Sequence, residues 1–252
     1  MTILSVVTIN YNNGKGLLRT IESVRKQINN GATIEYIIID GKSSDDSLEI
    51  IESNKDIINI LIHEVDNGIY SAMNKGLKVA SGDSILFLNS GDIFYNDFNL
   101  KNFQSFYDLK NNNVFTRTIQ VYEDIGFIRP KKNKKKTIYS DYGHQGAFIK
   151  KENYKKTVFE EDKKIISDSI WMHNVWTFGP NLISDDISAV FELGGVSNNY
   201  IYKNVKKLLK EKKSIQEKGK VIIKFILQSV LSKKMFYRLI YSNKYDYITY
   251  SK

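Results

Sequence analysis

The sequence predicts an α/β fold, in which a mostly parallel sheet carries helices on both faces and is followed by a basic helical C-terminal extension. Three observations predict it: strand-like and helix-like segments alternate, polar residues follow the strands, and positive charge is concentrated near the C-terminal end. The chain has 252 residues, of which 42% are hydrophobic, enough for one large domain with an appendage. We therefore expect a domain over residues 1–200 and a basic amphipathic helical tail over residues 201–252.

The alternation of strands and helices fills the first hundred residues. Runs rich in β-branched residues predict strands at 3–9, 34–39, 57–65 and 84–88. Apolar residues at helical spacing predict helices at 17–28, 47–53 and 69–80, one between each pair of strands. This order predicts parallel strands joined by helical crossovers.

Beyond residue 113 the pattern is more irregular and more antiparallel. It predicts strands at 114–122, 145–149 and 187–193, and a helix at 165–178 that contains both tryptophans of the chain.

Polar residues follow three of the predicted strands at the point where each strand ends. The first strand leads into Asn10 and Tyr11, the second into Asp40, and the fourth into the segment 89–92. The carboxyl ends of parallel strands share one edge of the sheet, where ligands bind in such folds. The sequence therefore predicts a binding site at this edge.

Composition excludes several kinds of chemistry. The chain has no cysteine, which excludes disulfides, thiolate metal sites and cysteine nucleophiles. Three scattered histidines are too few for a histidine-rich zinc cluster. The N-terminus has no basic n-region, and the apolar stretch at 221–231 is well short of the roughly 20 residues of a spanning helix. We expect a cytoplasmic protein.

The positive charge is unevenly distributed. Residues 203–252 hold 14 Lys and Arg against three acidic residues, a net +11, so the total of +9 leaves −2 for residues 1–202. A second basic run, residues 129–136, carries +6. Such a run is typical of a solvated loop, but next to a cleft it could bind the phosphates of a lipid-linked acceptor or anionic head groups.

Three carboxylates are candidates for chemistry. Asp92 follows a buried strand and could ligate a hard cation, or simply cap the next segment. Asp40 could accept a hydrogen bond from a nucleobase or a ribose hydroxyl. Asp168 begins an apolar-faced helix, where it could be a cap or a general base that deprotonates an acceptor hydroxyl. His144, Gln145, Gly194 and Gly195 are candidates for the phosphate or acceptor side.

Taken together, the motifs resemble family 2 glycosyltransferases of the GT-A fold, of the bacterial type seen in colanic-acid, capsule and O-antigen biosynthesis. The resemblance covers roughly residues 1–200 and rests on the segments 6–12, 37–45, 66–76, 80–83, 87–92, 144–145, 168 and 191–197. It implies a nucleotide-binding half at 1–110 and an acceptor-side half at 111–200.

The resemblance also implies residue roles in an inverting transfer from a nucleotide-sugar, UDP-linked as a rule, to a lipid-linked saccharide acceptor in surface polysaccharide synthesis. Asp92 would bind Mg²⁺ or Mn²⁺ as the surviving acid of the Asp-x-Asp element, and Asp168 would be the base. The donor would be held by Thr8, Asn10, Tyr11, Asp40, Lys75, Asn89, Ser90 and Asp92. The chain departs from many members in having Asp40-Gly41 in place of two acids and Asn89-Ser90-Gly91-Asp92 in place of Asp-x-Asp-Asp.

Two other functions fit parts of the pattern. A sugar nucleotidyltransferase would use a related sheet, but such enzymes usually have a glycine-rich loop with Arg or Lys after the first strand, and the segment 10–16 does not fit that loop well. A non-enzymatic binder of nucleic acid or another anionic surface would use the basic tail, although the acidic body argues against nucleic acid. The tail itself is apolar on nearly all sides over residues 221–241. It predicts either peripheral contact with an anionic membrane, at the inner face of the bacterial cell membrane, or helices that pack on the body or on a second copy in a homodimer.

Overall fold

The computed structural model describes residues 2–132, 137–163, 166–193, 205, 209–210, 214–242 and 244–250. The first half alternates as predicted. Its elements are β1 (Leu4–Asn10), α1 (Gly14–Asn29), β2 (Ile34–Asp40), α2 (Ser47–Glu52), β3 (Ile60–His63), α3 (Ile69–Val79) and β4 (Ser84–Phe87). The third strand begins later than expected because residues 55–57 form a 3-10 turn.

The second half is built mainly of strands. Its elements are β5 (Ile93–Phe94), α4 (Leu100–Phe106), β6 (Asn113–Tyr122), β7 (Ile125–Arg129), β8 (Ala147–Lys150), α5 (Lys151–Tyr154), α6 (Ser167–Thr177) and β9 (Asn181–Glu192). Short 3-10 turns at Tyr139–Asp141 and His144–Gly146 precede β8. Gln145 therefore lies in a turn and not in the predicted strand at 145–149.

One sheet runs through the molecule. Its order ends in β8-β4-β1-β2-β3, and the four strands β4, β1, β2 and β3 are parallel. The second half is mixed: β8 is antiparallel to both β4 and β6, β7 is antiparallel to β6, and β9 runs parallel to β6. The α/β architecture predicted from the alternation is confirmed.

Both faces of the parallel part are covered by helices. Leu4 and Val6 of β1 pack in a core cluster with residues of α1 and α4, whereas Val7 and Ile9 pack in a second cluster with α3 and α6. The alternation follows from the two-residue period of a strand, and burial on both faces explains why β1 reads as a continuous apolar run.

The C-terminal extension contains two helices and a strand: α7 (Ile215–Val230), α8 (Lys233–Tyr241) and β10 (Asp246–Thr249). The predicted helical extension is confirmed, and Ser232 separates its two helices by capping α8, where its side chain accepts a hydrogen bond from the backbone N–H of Met235. β10 is antiparallel to β7 and extends the sheet, and Asp246 pairs with the buried Arg117 at 2.7 Å. The extension is thus bound to the body through backbone hydrogen bonds and an ion pair.

Among the helices of the described ranges, none is both long enough and apolar enough to cross a bilayer.

The close packing of α3 on the sheet requires a glycine at position 76. A Cβ atom at Gly76 would lie 2.6 Å from Cγ1 of Val7, on the central strand. Val7 is fully buried and has a stiff β-branched side chain, so it cannot easily move aside. Alanine would otherwise be favoured at this interior helical position.

We predict that Gly76→Ala lowers the free energy of unfolding by about 1–3 kcal/mol, as expected for overpacking of a core. Gly219→Ala is the matched control, because Gly219 also lies inside a helix but has nothing within 4 Å of the added Cβ. Denaturant unfolding of the two variants measures the difference. Equal stability of Gly76→Ala and the wild type would show that α3 does not pack on β1 this closely.

Candidate active site

The ends of β1, β2 and β4 meet at one edge of the sheet, as predicted. Asn10 and Asp40 are partners in the register of β1 and β2, and Asn10 Nδ2 donates to Asp40 Oδ1 at 2.7 Å. On the other side of β1, the backbone N–H of Ser90 donates to the carbonyl of Ile9 at 3.0 Å. The segments that carry Asp40 and Asp92 therefore flank the same strand.

Asp40 is fully buried, and both of its carboxylate oxygens are engaged. Oδ1 accepts from Asn10 and from the Ser43 hydroxyl at 2.6 Å, and Oδ2 accepts from the Ser43 backbone N–H at 2.9 Å and lies 2.7 Å from His63 Nδ1. Burial opposes ionisation, but the hydrogen bonds from Ser43, Asn10 and His63 outweigh it and hold the pKa of Asp40 below its usual value. These partners fix the carboxylate at the end of β2, and the contact of Asp40 with a base or ribose stays a prediction.

Thr8 also stabilises this edge of the sheet. Its side chain is fully buried, and its hydroxyl donates to the carbonyl of Leu88 at 2.8 Å. Thr8 thus connects β1 to the end of β4, and its direct contact with a donor stays a prediction. Tyr11, by contrast, is 68% exposed at the edge and is free to meet a ligand.

Lys75 lies on α3 and reaches the segment after β3. Its ammonium group is 2.6 Å from the Asp66 carboxylate and 2.7 Å from that of Glu64, and these two acids raise its pKa against the opposing effect of burial. Lys75 therefore holds the segment 64–66 close to Tyr11 and Gly41, since a Cβ on Gly41 would lie 3.2 Å from both Asp66 and Tyr11.

Asp92 ends a tight turn that begins at Asn89. The backbone N–H of Asp92 donates to the carbonyl of Asn89 at 2.8 Å, and Gly91 adopts a positive φ of 101°, which favours glycine. The side chain is 9% exposed, and its Oδ2 accepts from Gln145 Nε2 and from the Asn89 backbone N–H, both at 3.2 Å. Burial raises the pKa of Asp92 to about 7, and the nearby Glu192 adds to this rise.

The residues around Asp92 suit a hard divalent cation. Among the described residues, Asp92 has no ion-pair partner, and the side-chain oxygen of Asn89 is buried without a hydrogen-bond partner. One carboxylate and one amide oxygen are donors of the kind that Mg²⁺ and Mn²⁺ prefer. The described residues contain no group of three or more acidic or histidine side chains that could hold a metal ion on their own. The cation would therefore need ligands from the donor and from water.

Asp168 lies in the first turn of α6, at the same site. Its Oδ2 is 3.9 Å from His144 Nδ1, and His144 Nε2 is 3.4 Å from Asn89 Nδ2. Its Oδ1 accepts from the Tyr70 hydroxyl at 3.4 Å. Asn89 and His144 thus connect the turn that carries Asp92 to Asp168.

The surroundings of His144 favour its neutral form. Burial lowers its pKa, the charge of Arg129 lowers it further, and Asp168 opposes both. A neutral imidazole whose Nε2 accepts from Asn89 carries its proton on Nδ1, facing Asp168. In that form, His144 presents an N–H group and Tyr70 an O–H group to Asp168, and the imidazole ring carries no full positive charge.

Three residues that the sequence did not single out are part of the site: Ser43, His63 and Tyr70. His63 could have been identified, because it ends the third strand and is the register partner of Asp40. Tyr70 meets Asp168 across 98 residues of sequence, and the pattern contains no signal for that contact. Gly194, Gly195 and residues 133–136 of the basic run lie outside the described residues.

Sequence relatives match a limited part of the chain. It is 44% identical over 91 residues to an uncharacterized glycosyltransferase of Mycobacterium tuberculosis, a match that covers 36% of this chain and 34% of the relative. The matched part thus spans about a third of that relative's length.

Solved structures match almost the whole chain. Staphylococcus aureus TarS 1-349 in complex with UDP aligns with a TM-score of 0.63 and 18% identity over 95% of this chain and 75% of the other. The mannosyltransferase PcManGT of Pyrobaculum calidifontis, in complex with GDP-Man and Mn²⁺, aligns with a TM-score of 0.59 and 14% identity over 95% and 79%. These similarities confirm the GT-A fold.

The sequence model of Glycosyl transferase family 2 matches residues 5–169, which include the edge, Asp92 and Asp168. Since this match covers well over half of the chain, the protein belongs to glycosyl transferase family 2.

Proposed function

We propose that the protein transfers a sugar from a UDP-linked donor to a saccharide acceptor, with inversion, and that it requires Mg²⁺ or Mn²⁺. The observation that carries this proposal is the connection between two carboxylates, Asp92 and Asp168, through Asn89 and His144. Family membership favours a transferase over the alternative of a sugar nucleotidyltransferase.

The donor would lie on the first half of the chain, residues 1–110. Tyr11 is exposed where a nucleobase could stack, and Asn10, Ser43 and Asp66 surround the same position. The TarS complex contains UDP and the PcManGT complex contains Mn²⁺, which supports a nucleotide donor and a metal ion here. Asp92 would hold the cation, and a cation held there would supply charge neutralisation for the leaving diphosphate.

The reaction would be a single displacement. The acceptor hydroxyl oxygen forms a bond to the anomeric carbon while the bond from that carbon to the diphosphate oxygen breaks. Asp168 takes the hydroxyl proton, and the neutral His144 and Tyr70 hold the carboxylate in position. Attack opposite the leaving group inverts the anomeric configuration. Asp168, His144 and Gln145 all belong to residues 111–200, the proposed acceptor-side half.

The acceptor would be lipid-linked and reached from an anionic membrane surface, at the inner face of the cell membrane. Five apolar residues of α7 are exposed, by 45% to 88%, and share one side of the helix: Ile215, Ile222, Ile223, Ile226 and Val230. Lys218 and Lys220 are exposed on either side of this stripe. An apolar stripe flanked by lysines is typical of a helix that lies at the boundary between lipid head groups and acyl chains. We therefore favour a membrane surface over a protein partner for this face of α7.

We predict that Asp92→Asn lowers the cation-dependent release of UDP from UDP-sugars by about 100-fold or more, because several kcal/mol of charge stabilisation depend on the cation. Asp56→Asn is the control, since Asp56 is exposed and pairs with Arg25 away from the edge. A coupled assay for UDP with and without Mn²⁺ measures the effect. Equal cation dependence in Asp92→Asn and the wild type would rule out the proposed ligand.

Asp168→Asn should keep the affinity for UDP and slow turnover by about 10²–10⁴-fold, the range of general base catalysis. Asp162→Asn, an exposed carboxylate six positions earlier, should behave as the wild type. Calorimetry with UDP and Mn²⁺ separates binding from turnover. Unchanged turnover in Asp168→Asn would remove Asp168 from the role of base.

Replacing Ile222 and Ile226 by Asp should abolish sedimentation of the protein with vesicles that contain anionic phosphatidylglycerol. Val158→Asp is the control, because Val158 is 63% exposed on the body of the protein. Each inserted side chain contributes about 1.5–3 kcal/mol when buried, so the double variant should lose most of the binding. If the wild type does not sediment with these vesicles but forms a dimer that Ile222→Asp disrupts, the stripe is a homodimer interface instead.

A further inference from the structure

A buried threonine of α1 contacts the turn that carries Asp92, residues 89–92. Thr20 lies in the middle of α1 and is fully buried. Its hydroxyl accepts a hydrogen bond from the backbone N–H of Gly91 at 3.0 Å and donates to the backbone carbonyl of Asp92 at 2.7 Å. A threonine inside a helix often donates to the carbonyl four residues earlier, but here that carbonyl, of Gly16, is farther away at 3.1 Å. Since the hydroxyl has one proton, the shorter distance favours the bond to Asp92.

α1 contacts this turn at a second place, at the start of the helix. The side chain of Asn13 donates to the carbonyl of Ser90 at 3.1 Å, and the Ser90 hydroxyl donates to the carbonyl of Asn13 at 3.1 Å. Asn13 and Thr20 are seven residues apart, which is about two helical turns. The backbone of the turn is therefore bonded to α1 on both sides of the peptide bond between Gly91 and Asp92.

The side chain of Asp92 is fixed separately, by Gln145. Gln145 is buried, and its Nε2 donates to Asp92 Oδ2 at 3.2 Å. Its own position is fixed by β6, because the Thr116 hydroxyl donates to the carbonyl of Gly146 at 3.1 Å. The backbone N–H of Asn89 donates to the same Oδ2 of Asp92. Among the described residues, none donates a hydrogen bond to Asp92 Oδ1.

The two carboxylate oxygens of Asp92 therefore differ. Oδ2 accepts from two N–H groups, which leaves Oδ1 as the oxygen that can meet a cation. Metal coordination requires short and well-defined distances, so residues that orient a ligand affect the affinity for the metal without touching it. Thr20 lies on the apolar face of an amphipathic helix, where the sequence pattern alone indicates core packing.

Resting on the proposed function, we infer that Thr20 and Gln145 are the positioning residues of the cation site. Thr20 fixes the backbone of Asp92 relative to α1, and Gln145 holds Oδ2 so that Oδ1 is presented to the cation. Asp92 is thus oriented from two separate parts of the chain, the first helix and the turn before β8.

The test titrates Mn²⁺ into the full chain in the presence of UDP and measures the free ion by electron paramagnetic resonance. Thr20→Val replaces the hydroxyl by a methyl group of similar size and should lower the affinity for Mn²⁺ about 10–100-fold, the range found for residues that orient metal ligands. Thr20→Ser keeps the hydroxyl and should keep the affinity. Gln145→Met removes the N–H donor with little change in volume and should lower the affinity within the same range.

Gln27→Leu is the matched control. Gln27 is also a buried polar residue of α1, but it bonds a different segment, since its side chain donates to the carbonyl of Phe98 at 2.8 Å and accepts from the backbone N–H of Leu100 at 2.9 Å. This variant should lose stability and keep the wild-type affinity for Mn²⁺. An equal loss of affinity in Gln27→Leu and Thr20→Val would show a general effect of destabilisation and refute the inference.

The remaining outcomes separate the inference from the proposed function. Wild-type affinity in Thr20→Val or in Gln145→Met would remove that residue from the positioning role, and wild-type affinity in both would refute the inference alone. If Thr20→Val does not fold, Thr20→Ala replaces it, because alanine has no methyl branches that could clash with the turn. A wild-type protein that binds no Mn²⁺ in the presence of UDP would contradict the proposed function itself.

Discussion

The buried carboxylate of Asp40 is the interaction on which the edge of the sheet depends. An ionised group without access to water is stable only when its oxygens are fully hydrogen-bonded, and Asn10, Ser43 and His63 supply those bonds from three segments of the chain. The carboxylate therefore fixes the ends of β1, β2 and β3 relative to one another. The backbone of Ser90 is also hydrogen-bonded to the end of β1. The turn that carries Asp92 is therefore fixed relative to the same strand end.

In Asp92 the effect of burial on the pKa outweighs the effect of the hydrogen bonds, the opposite of Asp40. It is also buried, but its hydrogen bonds do not offset the loss of water, and its pKa rises to about 7 while that of Asp40 falls. A bound cation would strongly stabilise the ionised form of a carboxylate such as Asp92. It would add little to a carboxylate such as Asp40, whose ionised form is already stabilised by hydrogen bonds. Burial also lowers the pKa of His144 and so favours its neutral form. Asp40 is thus held by its partners in the protein, whereas Asp92 is the residue that the proposed function assigns to the cation.

Periodicity in the sequence was sufficient to predict the parallel half of the sheet, since β1 and β2 are buried on both faces and their crossovers are amphipathic helices. It also placed Asp92 and Asp168 near strand and helix ends. It could not show that Asp40 and Thr8 are enclosed, because that depends on partners such as Ser43 and Leu88 that packing brings together. β10 was missed because a short strand at a sheet edge, Asp246–Thr249, has little pattern of its own and is defined by its pairing with β7. The contact of Tyr70 with Asp168 is likewise a product of tertiary structure.

The proposed function requires one site that holds a cation and the diphosphate of the donor at Asp92, with Asp168 on the acceptor side. The most direct measurement is a crystal structure with UDP and Mn²⁺, in which anomalous scattering locates the manganese ion. We expect a manganese peak about 2.0–2.2 Å from a carboxylate oxygen of Asp92, with diphosphate oxygens among its other ligands and the uracil next to Tyr11. A manganese ion bound elsewhere, or UDP bound away from the ends of β1 and β4, would contradict it.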